Sequence, residues 1–128
     1  TAETFSVIGS PAYPPDPERL RARAAASYDR CFHPAGVARQ LMAVLASGNR
    51  SSELQGIRTP TLVIHGSADR LVPPQAGKDT AAAIPGARLE LIEGMGHDLP
   101  PELWPRFIEL IEATARRAPT RRRSLSDA

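Results

Sequence analysis

The sequence predicts an α/β fold in which two neighbouring parallel strands, each followed by a helix, come after a helical first half. Two observations lead to this prediction. Residues 60–116 alternate strand-like and helix-like patterns in the order strand, helix, strand, helix. The first strand, Thr61–His65, is a run of β-branched and aliphatic residues without polar alternation, which is typical of parallel strands covered by helices on both faces. A helical crossover between two such strands makes them parallel.

Two helices are predicted in the first half of the chain. The first begins at Asp16-Pro17-Glu18, because aspartate caps a helix N-terminus and proline suits the first turn. It runs to about Arg30. The second helix runs from about Ala35 to Ser47. Its apolar residues share one face at helical spacing, namely Val37, Leu41, Val44 and Leu45.

The remaining predicted elements are short. Thr4–Ile8 is predicted as a short strand and Ser51–Arg58 as a linker. A helix is predicted at about Pro74–Ile84 and the second strand at Arg88–Ile92. The last helix is predicted at about Pro101–Arg116, with an irregularity at its internal proline. Its predicted inner face consists of Leu103, Phe107, Leu110 and Ile111.

The predicted sheet is too small to stand alone, because two strands do not form a stable open sheet. The second half is therefore expected to belong to a larger sheet, completed by an N-terminal part of the core that is missing from this chain. A first residue other than methionine agrees with that expectation. The predicted division is a helical cap segment with its linker at 1–58, the C-terminal βαβα part of the core at 59–116, and a disordered basic tail at 117–128.

Composition excludes several classes of function. Five of the 16 basic residues lie at 116–128, so the body of the chain lacks the basic excess of a nucleic-acid-binding domain. The single cysteine, Cys31, cannot form an internal disulfide, which favours a cytoplasmic location. No apolar run approaches the roughly 18 residues of a membrane span. The three histidines lack metal-ligand spacing, so no metal is expected. No cofactor is predicted either.

The candidate chemistry lies in the two loops that follow the predicted strands. Asp69 follows the first strand and His97 follows the second. Ligands of open α/β sheets bind beyond the carboxyl ends of the strands, so both side chains are expected at one rim. An imidazole with a pKa of about 6.5 can take the proton of a serine hydroxyl, and a hydrogen-bonded carboxylate fixes its tautomer. The two residues are therefore predicted to be the acid and the base of a catalytic triad.

The two loops also resemble the last third of the α/β-hydrolase superfamily. The strings VIHGSADRLVP and LIEGMGHDLP are similar to its H-G-x-x-D and G-x-G-H patterns. This resemblance implies that Asp69 is the acid, that His97 is the histidine, and that the nucleophile lies upstream. The preceding string YDRCFHPAGVARQLMAVLASGNR resembles the cap of bacterial carboxylesterases, among them methylesterases that act on aromatic polyketides. A serine carboxylesterase acting on a small hydrophobic ester is therefore expected.

The sequence departs from the family at the nucleophile. No G-x-S-x-G occurs, and Ser10 and Ser67 both lack the second glycine of that elbow. The chain alone is therefore expected to be inactive. Because the nucleophile is not in the sequence, three alternatives stay open: an epoxide hydrolase or dehalogenase with an aspartate nucleophile, a perhydrolase, or a non-catalytic truncated product.

Three further residues near the two loops receive an interpretation. Met95 precedes His97 by two positions and is the candidate substrate-binding residue, although methionine at such a position more often packs in the core. Asp98 is interpreted as a turn or capping residue for the last helix. His65 lies within the first strand and is interpreted as an interior residue beside the site, not as a metal ligand.

Overall fold

A computed structural model of the chain describes residues 2–118. Most of the predicted tail, 119–128, lies outside these described residues. The described part contains six α-helices, two strands and a 3-10 turn at Pro101–Leu103. The helices are α1 (Ala2–Ile8), α2 (Pro17–Arg30), α3 (Pro34–Ala46), α4 (Ser51–Leu54), α5 (Pro74–Ala83) and α6 (Trp104–Ala115), and the strands are β1 (Leu62–Gly66) and β2 (Arg88–Ile92).

The two strands form a parallel sheet, as predicted. Leu62 lies opposite Arg88, and Gly66 at the end of β1 lies opposite Ile92 at the end of β2. Helix α5 connects the strands and packs against both. Because the strands end at the same level, the loops that follow them leave the sheet at one edge.

Several predicted elements are confirmed. Helix α2 begins as predicted, with the Asp16 side chain accepting a hydrogen bond of 3.1 Å from the Glu18 N–H and Pro17 in the first turn. Helices α3 and α5 lie within a residue or so of their predicted bounds, and β2 matches its bounds. The last helix differs from its prediction at the start: a 3-10 turn at Pro101–Leu103 precedes α6, and Pro105, where the irregularity was expected, lies in the first turn of that helix, a position that proline tolerates.

Two local predictions are wrong. Thr4–Ile8 is part of helix α1, not a strand. A segment of high β-propensity forms a strand only beside another strand, and the described residues provide none here. As a helix, the segment gains a hydrogen bond from the Ser6 hydroxyl to the Glu3 carbonyl. The predicted linker at 51–58 begins with the one-turn helix α4, whose start is stabilised by the Asn49 carboxamide accepting from the Ser51 N–H at 2.9 Å.

The core of the described chain is small. A buried cluster of Ile92, Met95 and Phe107 packs with the half-buried Tyr13, Ile64 and Leu103. Strands covered on both faces were predicted, and this is wrong for the chain as described, because Leu89 and Leu91 of β2 are 37% and 40% exposed. The predicted inner face of α6 is correct for Phe107 and Leu110, whereas Ile111 is 58% exposed because no further element packs there.

Much of the remaining apolar surface is uncovered. Helix α3 packs against no other helix or strand of the described part, and its predicted apolar face is exposed along its whole length. None of the helices within residues 2–118 is long and apolar enough to cross a membrane. The chain is thus an α/β unit whose sheet and helices leave large apolar faces free.

The small core predicts a contrast between two neighbouring residues of α6. Phe107→Ala should lower the free energy of unfolding by about 3 kcal/mol, because it empties part of the buried cluster. Ile108→Ala, at a side chain that is 57% exposed, should change it by less than about 0.5 kcal/mol. Urea denaturation followed by circular dichroism measures both. Equal losses for the two variants would contradict this assignment of the core.

Candidate active site

The two predicted site residues lie in hydrogen-bond contact at the carboxyl edge of the sheet. The Nδ1 atom of His97 is 2.8 Å from Oδ2 of Asp69. The aspartate side chain is only 5% exposed, whereas that of the histidine is 44% exposed. With the carboxylate as acceptor, Nδ1 carries the proton and donates it, and Nε2 is left with no hydrogen-bond partner among residues 2–118. An imidazole in this arrangement can accept a proton at Nε2.

A tight turn after β1 holds the aspartate. Oδ1 of Asp69 accepts hydrogen bonds from the N–H groups of Leu71 at 2.9 Å and Val72 at 2.8 Å, which leaves Oδ2 for the histidine. Burial alone would raise the pKa of the carboxyl group. The hydrogen bonds from Val72, His97 and Leu71 outweigh burial, and the pKa of Asp69 lies below its ordinary value of 3.8. The turn therefore favours the ionised form of the Asp69 carboxyl group.

His65 supports this turn from inside the fold. Its side chain is 12% exposed, as expected for an interior residue, and its Nε2 lies 2.9 Å from the Val72 carbonyl oxygen and 3.7 Å from Asp69 Oδ2. Since a carbonyl only accepts, Nε2 is the donor. Gly77 of α5 lies directly against the ring: a Cβ atom built there would be 2.7–2.9 Å from three ring and side-chain atoms. The absence of a side chain at Gly77 thus lets α5 approach His65.

The His97 loop is tied directly to the Asp69 loop. The Ser67 hydroxyl accepts a hydrogen bond of 2.8 Å from the Gly94 N–H, and the Ala68 N–H donates to the Met95 carbonyl at 2.9 Å. Gly94 has a φ of +68°, a conformation that favours glycine. The two bonds join the loops, and the one between Ala68 and Met95 is a backbone bond that ties the Asp69 loop to the His97 loop without any side chain.

Met95 packs in the core, the more common position for such a methionine, and Asp98 has a partner other than the last helix. Met95 is 4% exposed and belongs to the buried cluster, although the residue also borders a cavity of about 280 Å³ beside His97. Asp98 does not cap the last helix; its Oδ1 accepts a hydrogen bond from the hydroxyl of Ser10. The N-terminal segment therefore reaches the site, a contact that sequence reasoning missed because no motif links positions 88 residues apart.

A pair of glycine substitutions tests the support beneath Asp69. Gly77→Ala should destabilise the chain by about 1–3 kcal/mol, because the His65 ring is largely enclosed and bonded to the Val72 carbonyl and cannot move away from the new Cβ. Gly36→Ala is the matched control: its Cβ also meets a histidine ring at 2.7 Å, but His33 is exposed and can rotate away. Thermal melts of both variants give the comparison. A loss for Gly36→Ala as large as that for Gly77→Ala would contradict the reasoning.

The lowered pKa of Asp69 predicts how stability changes with pH. Because the pKa is lower in the folded chain, the ionised carboxylate stabilises the fold above about pH 4, and this contribution is lost as the pH falls through the folded pKa. Asp69→Asn cannot titrate. The difference in unfolding free energy between the parent and Asp69→Asn should therefore shrink as the pH falls from about 6 to about 3, measured by urea denaturation. A constant difference would contradict it.

Comparison with known proteins assigns the chain to a family. A family profile described as serine aminopeptidase, S33, matches residues 15–103, which is more than half of the chain. Rhodomycin D methylesterase of Streptomyces peucetius is 44% identical over 52 residues, covering 41% of this chain and 17% of that protein. The 2-hydroxymuconate semialdehyde hydrolase of Pseudomonas putida is 36% identical over 64 residues, covering 50% of this chain and 23% of that protein.

A putative carbamate hydrolase of Pseudomonas syringae pv. syringae is 49% identical over 47 residues, covering 37% of this chain and 18% of its own length. The aligned segments thus span about a fifth of each of these relatives. The family profile covers both predicted site residues and the whole parallel sheet. The chain belongs to the S33 serine aminopeptidase family of hydrolases, within the α/β-hydrolase superfamily.

Proposed function

We propose that this chain supplies the acid, Asp69, and the general base, His97, of a catalytic triad in an esterase that cleaves a small hydrophobic ester. The observation that carries the proposal is the 2.8 Å contact between Nδ1 of His97 and Oδ2 of Asp69, with Nε2 left free to take a proton. The turn that keeps Asp69 ionised supports the role of the acid.

In the proposed reaction, Nε2 of His97 takes the proton of a serine hydroxyl while that oxygen attacks the ester carbonyl. Asp69 stabilises the imidazolium and keeps Nδ1 protonated. The imidazolium then gives its proton to the departing alcohol, which leaves an acyl-enzyme. Water repeats the same sequence and releases the acid.

The nucleophile is proposed to come from outside this chain. No G-x-S-x-G elbow occurs in the sequence. The hydroxyls of the two serines beside the candidate site, Ser10 and Ser67, both make hydrogen bonds within the chain. The hydroxyl of Ser10 is bonded to Asp98 and to the Gly96 N–H, and that of Ser67 accepts from the Gly94 N–H. The serine and its oxyanion hole are therefore assigned to an N-terminal part of the hydrolase core.

The uncovered sheet supports that assignment. Both strands of the two-stranded sheet are only half-covered, and apolar side chains of β2 and α6 are exposed. Parallel strands are stable when further strands and helices cover them. We assign these faces to the rest of the core, and residues 1–58 to the cap.

The substrate is proposed to be hydrophobic. A cavity of about 780 Å³ opens between α2 and the residues that follow His97, and its apolar lining includes Tyr13, Leu20, Leu99 and Trp104. The uncovered apolar face of α3 offers a further surface in the same segment. Two relatives carry methylesterase and carbamate hydrolase in their names, which favours an acyl substrate over an epoxide or a haloalkane.

The proposed function predicts hydrolysis only when another polypeptide provides the nucleophilic serine in its G-x-S-x-G motif. The chain alone should hydrolyse p-nitrophenyl butyrate no faster than buffer, because a triad without its serine loses about 10⁶ in rate. A chimera that joins the N-terminal part of rhodomycin D methylesterase to this chain should regain hydrolysis. His97→Ala in the chimera should remove that gain, and Asp69→Asn should reduce it by about 10⁴.

An inactive chimera would overturn the proposal, and so would two further outcomes. One is hydrolysis by the chain alone that disappears in His97→Ala, which would place a nucleophile within these 128 residues. The other is an active chimera that His97→Ala leaves unchanged. The matched control is His33→Ala, at an exposed histidine whose ring contacts Arg39, and it should keep the chimera's activity.

A further inference from the structure

The segment Ile8–Ala12, which begins at the last residue of α1, lies directly against the loop that carries His97. Its central residue, Ser10, is 3% exposed, which is unusual for a serine in an irregular segment of so small a chain. We propose that Ser10 is a positioning residue for His97, holding the residues on both sides of the histidine. This inference rests on the proposed role of His97 as the base.

Three hydrogen bonds from this segment reach three consecutive residues of the loop. The Ser10 hydroxyl donates to Oδ1 of Asp98 and accepts from the Gly96 N–H at 2.8 Å. Between them, the His97 N–H donates to the Ile8 carbonyl at 2.7 Å. Every residue from 96 to 98 is therefore held by the N-terminal segment. One hydroxyl makes two of the three contacts.

Close backbone packing makes this contact stiff. A Cβ atom at Gly96 would lie 2.4 Å from the carbonyl carbon and oxygen of Gly9, so the two backbones touch only because residue 96 has no side chain. A Cβ atom at Gly94 would similarly meet Ala12, whose N–H donates to the Gly94 carbonyl at 3.2 Å. The loop therefore has little room to shift as long as these contacts hold.

The His97 ring itself is lightly held. Its side chain is 44% exposed and has a single hydrogen bond among the described residues, to Asp69. The direction of the ring therefore depends on the backbone from which it projects. Loss of the Ser10 hydroxyl would leave the buried Gly96 N–H and the Asp98 carboxylate without that partner, so both flanks of His97 would be released together.

Ser10 acts through the loop and is not itself the nucleophile. Its proton is donated to Asp98, its oxygen already accepts from Gly96, and it is almost fully buried. A nucleophilic serine needs an accessible oxygen whose proton passes to the base.

The test reads the His97 ring directly. Long-range ¹H–¹⁵N spectra of the chain labelled with ¹⁵N-histidine report which ring nitrogen carries the proton. The parent should show His97 in the Nδ1–H form, with a low-field proton shared with Asp69. Ser10→Ala should convert it to a mixture of the two tautomers and remove the low-field signal, while His33, which is remote from Asp69, stays unchanged and serves as the internal reference.

Ser67→Ala is the matched control. It also removes a hydroxyl that contacts the His97 loop, through the Gly94 N–H, but it touches neither flank of the histidine. It should lower the melting temperature and leave the His97 spectrum intact. If Ser10→Ala lowers the melting temperature but leaves the His97 spectrum like that of the parent, Ser10 is only structural and the proposal is overturned.

Should Ser10→Ala not fold, a second pair of variants tests the same hydrogen bond by changing its acceptor, Asp98. Asp98→Asn keeps an acceptor oxygen for Ser10 and should retain the parent's His97 spectrum, whereas Asp98→Ala should lose it. Identical spectra for these two variants would also overturn the proposal. If the isolated chain does not melt cooperatively, the same spectra are recorded on the chimera.

Kinetics in the chimera complete the test. Ser10→Ala should lower kcat by about 10² with little change in KM, as expected when a base is misplaced by about an ångström. The spectra do not depend on a nucleophile. If the chimera is inactive but Ser10→Ala still converts His97 to a mixture of tautomers, the proposed function is refuted and the positioning role of Ser10 stays intact.

Discussion

The parallel register of β1 and β2 is the constraint on which the candidate site depends. Because Gly66 and Ile92 lie side by side at the strand ends, the loops that follow start at one level and can be joined by short hydrogen bonds. The Ser67 N–H donates to the Ile92 carbonyl at 2.9 Å, at the point where the two loops begin. A shift of one residue would move Asp69 relative to His97 by about 3.3 Å, more than a hydrogen bond tolerates.

The parts of the fold that local patterns determine were predictable. The Asp16 cap, the apolar run of β1 and the glycines around His97 each act within a few residues, so each could be recognised from the sequence. The proximity of Asp69 and His97 followed from one further rule, that parallel neighbours end at the same edge. Their 2.8 Å contact satisfies that geometric expectation. Their chemical roles stay a prediction.

What could not be predicted depends on contacts between distant parts of the chain. Helix α1 replaced a predicted strand because the β-branched residues at 4–8 had no strand beside them in the described fold. From the sequence, Ser10 could be considered only as a possible nucleophile. Its hydrogen bonds could not be predicted, because its partners Gly96 and Asp98 lie 86 and 88 residues away. Met95 could be placed near His97 but not in the buried cluster, since a methionine suits either environment.

Polar and apolar groups are satisfied to very different extents in this chain. Within residues 2–118 no buried side-chain nitrogen or oxygen lacks a hydrogen-bond partner, and those around Asp69 and His97 are bonded by groups of the chain itself. The apolar faces of α3 and β2, by contrast, are exposed. Polar networks are costly when half-made, whereas apolar faces associate with little directional demand. The contact between Asp69 and His97 is therefore ordered without any further element on the exposed faces. Under the proposed function, an N-terminal part that packs onto the sheet would need to bring only the nucleophile and the oxyanion donors to a base whose direction is already set.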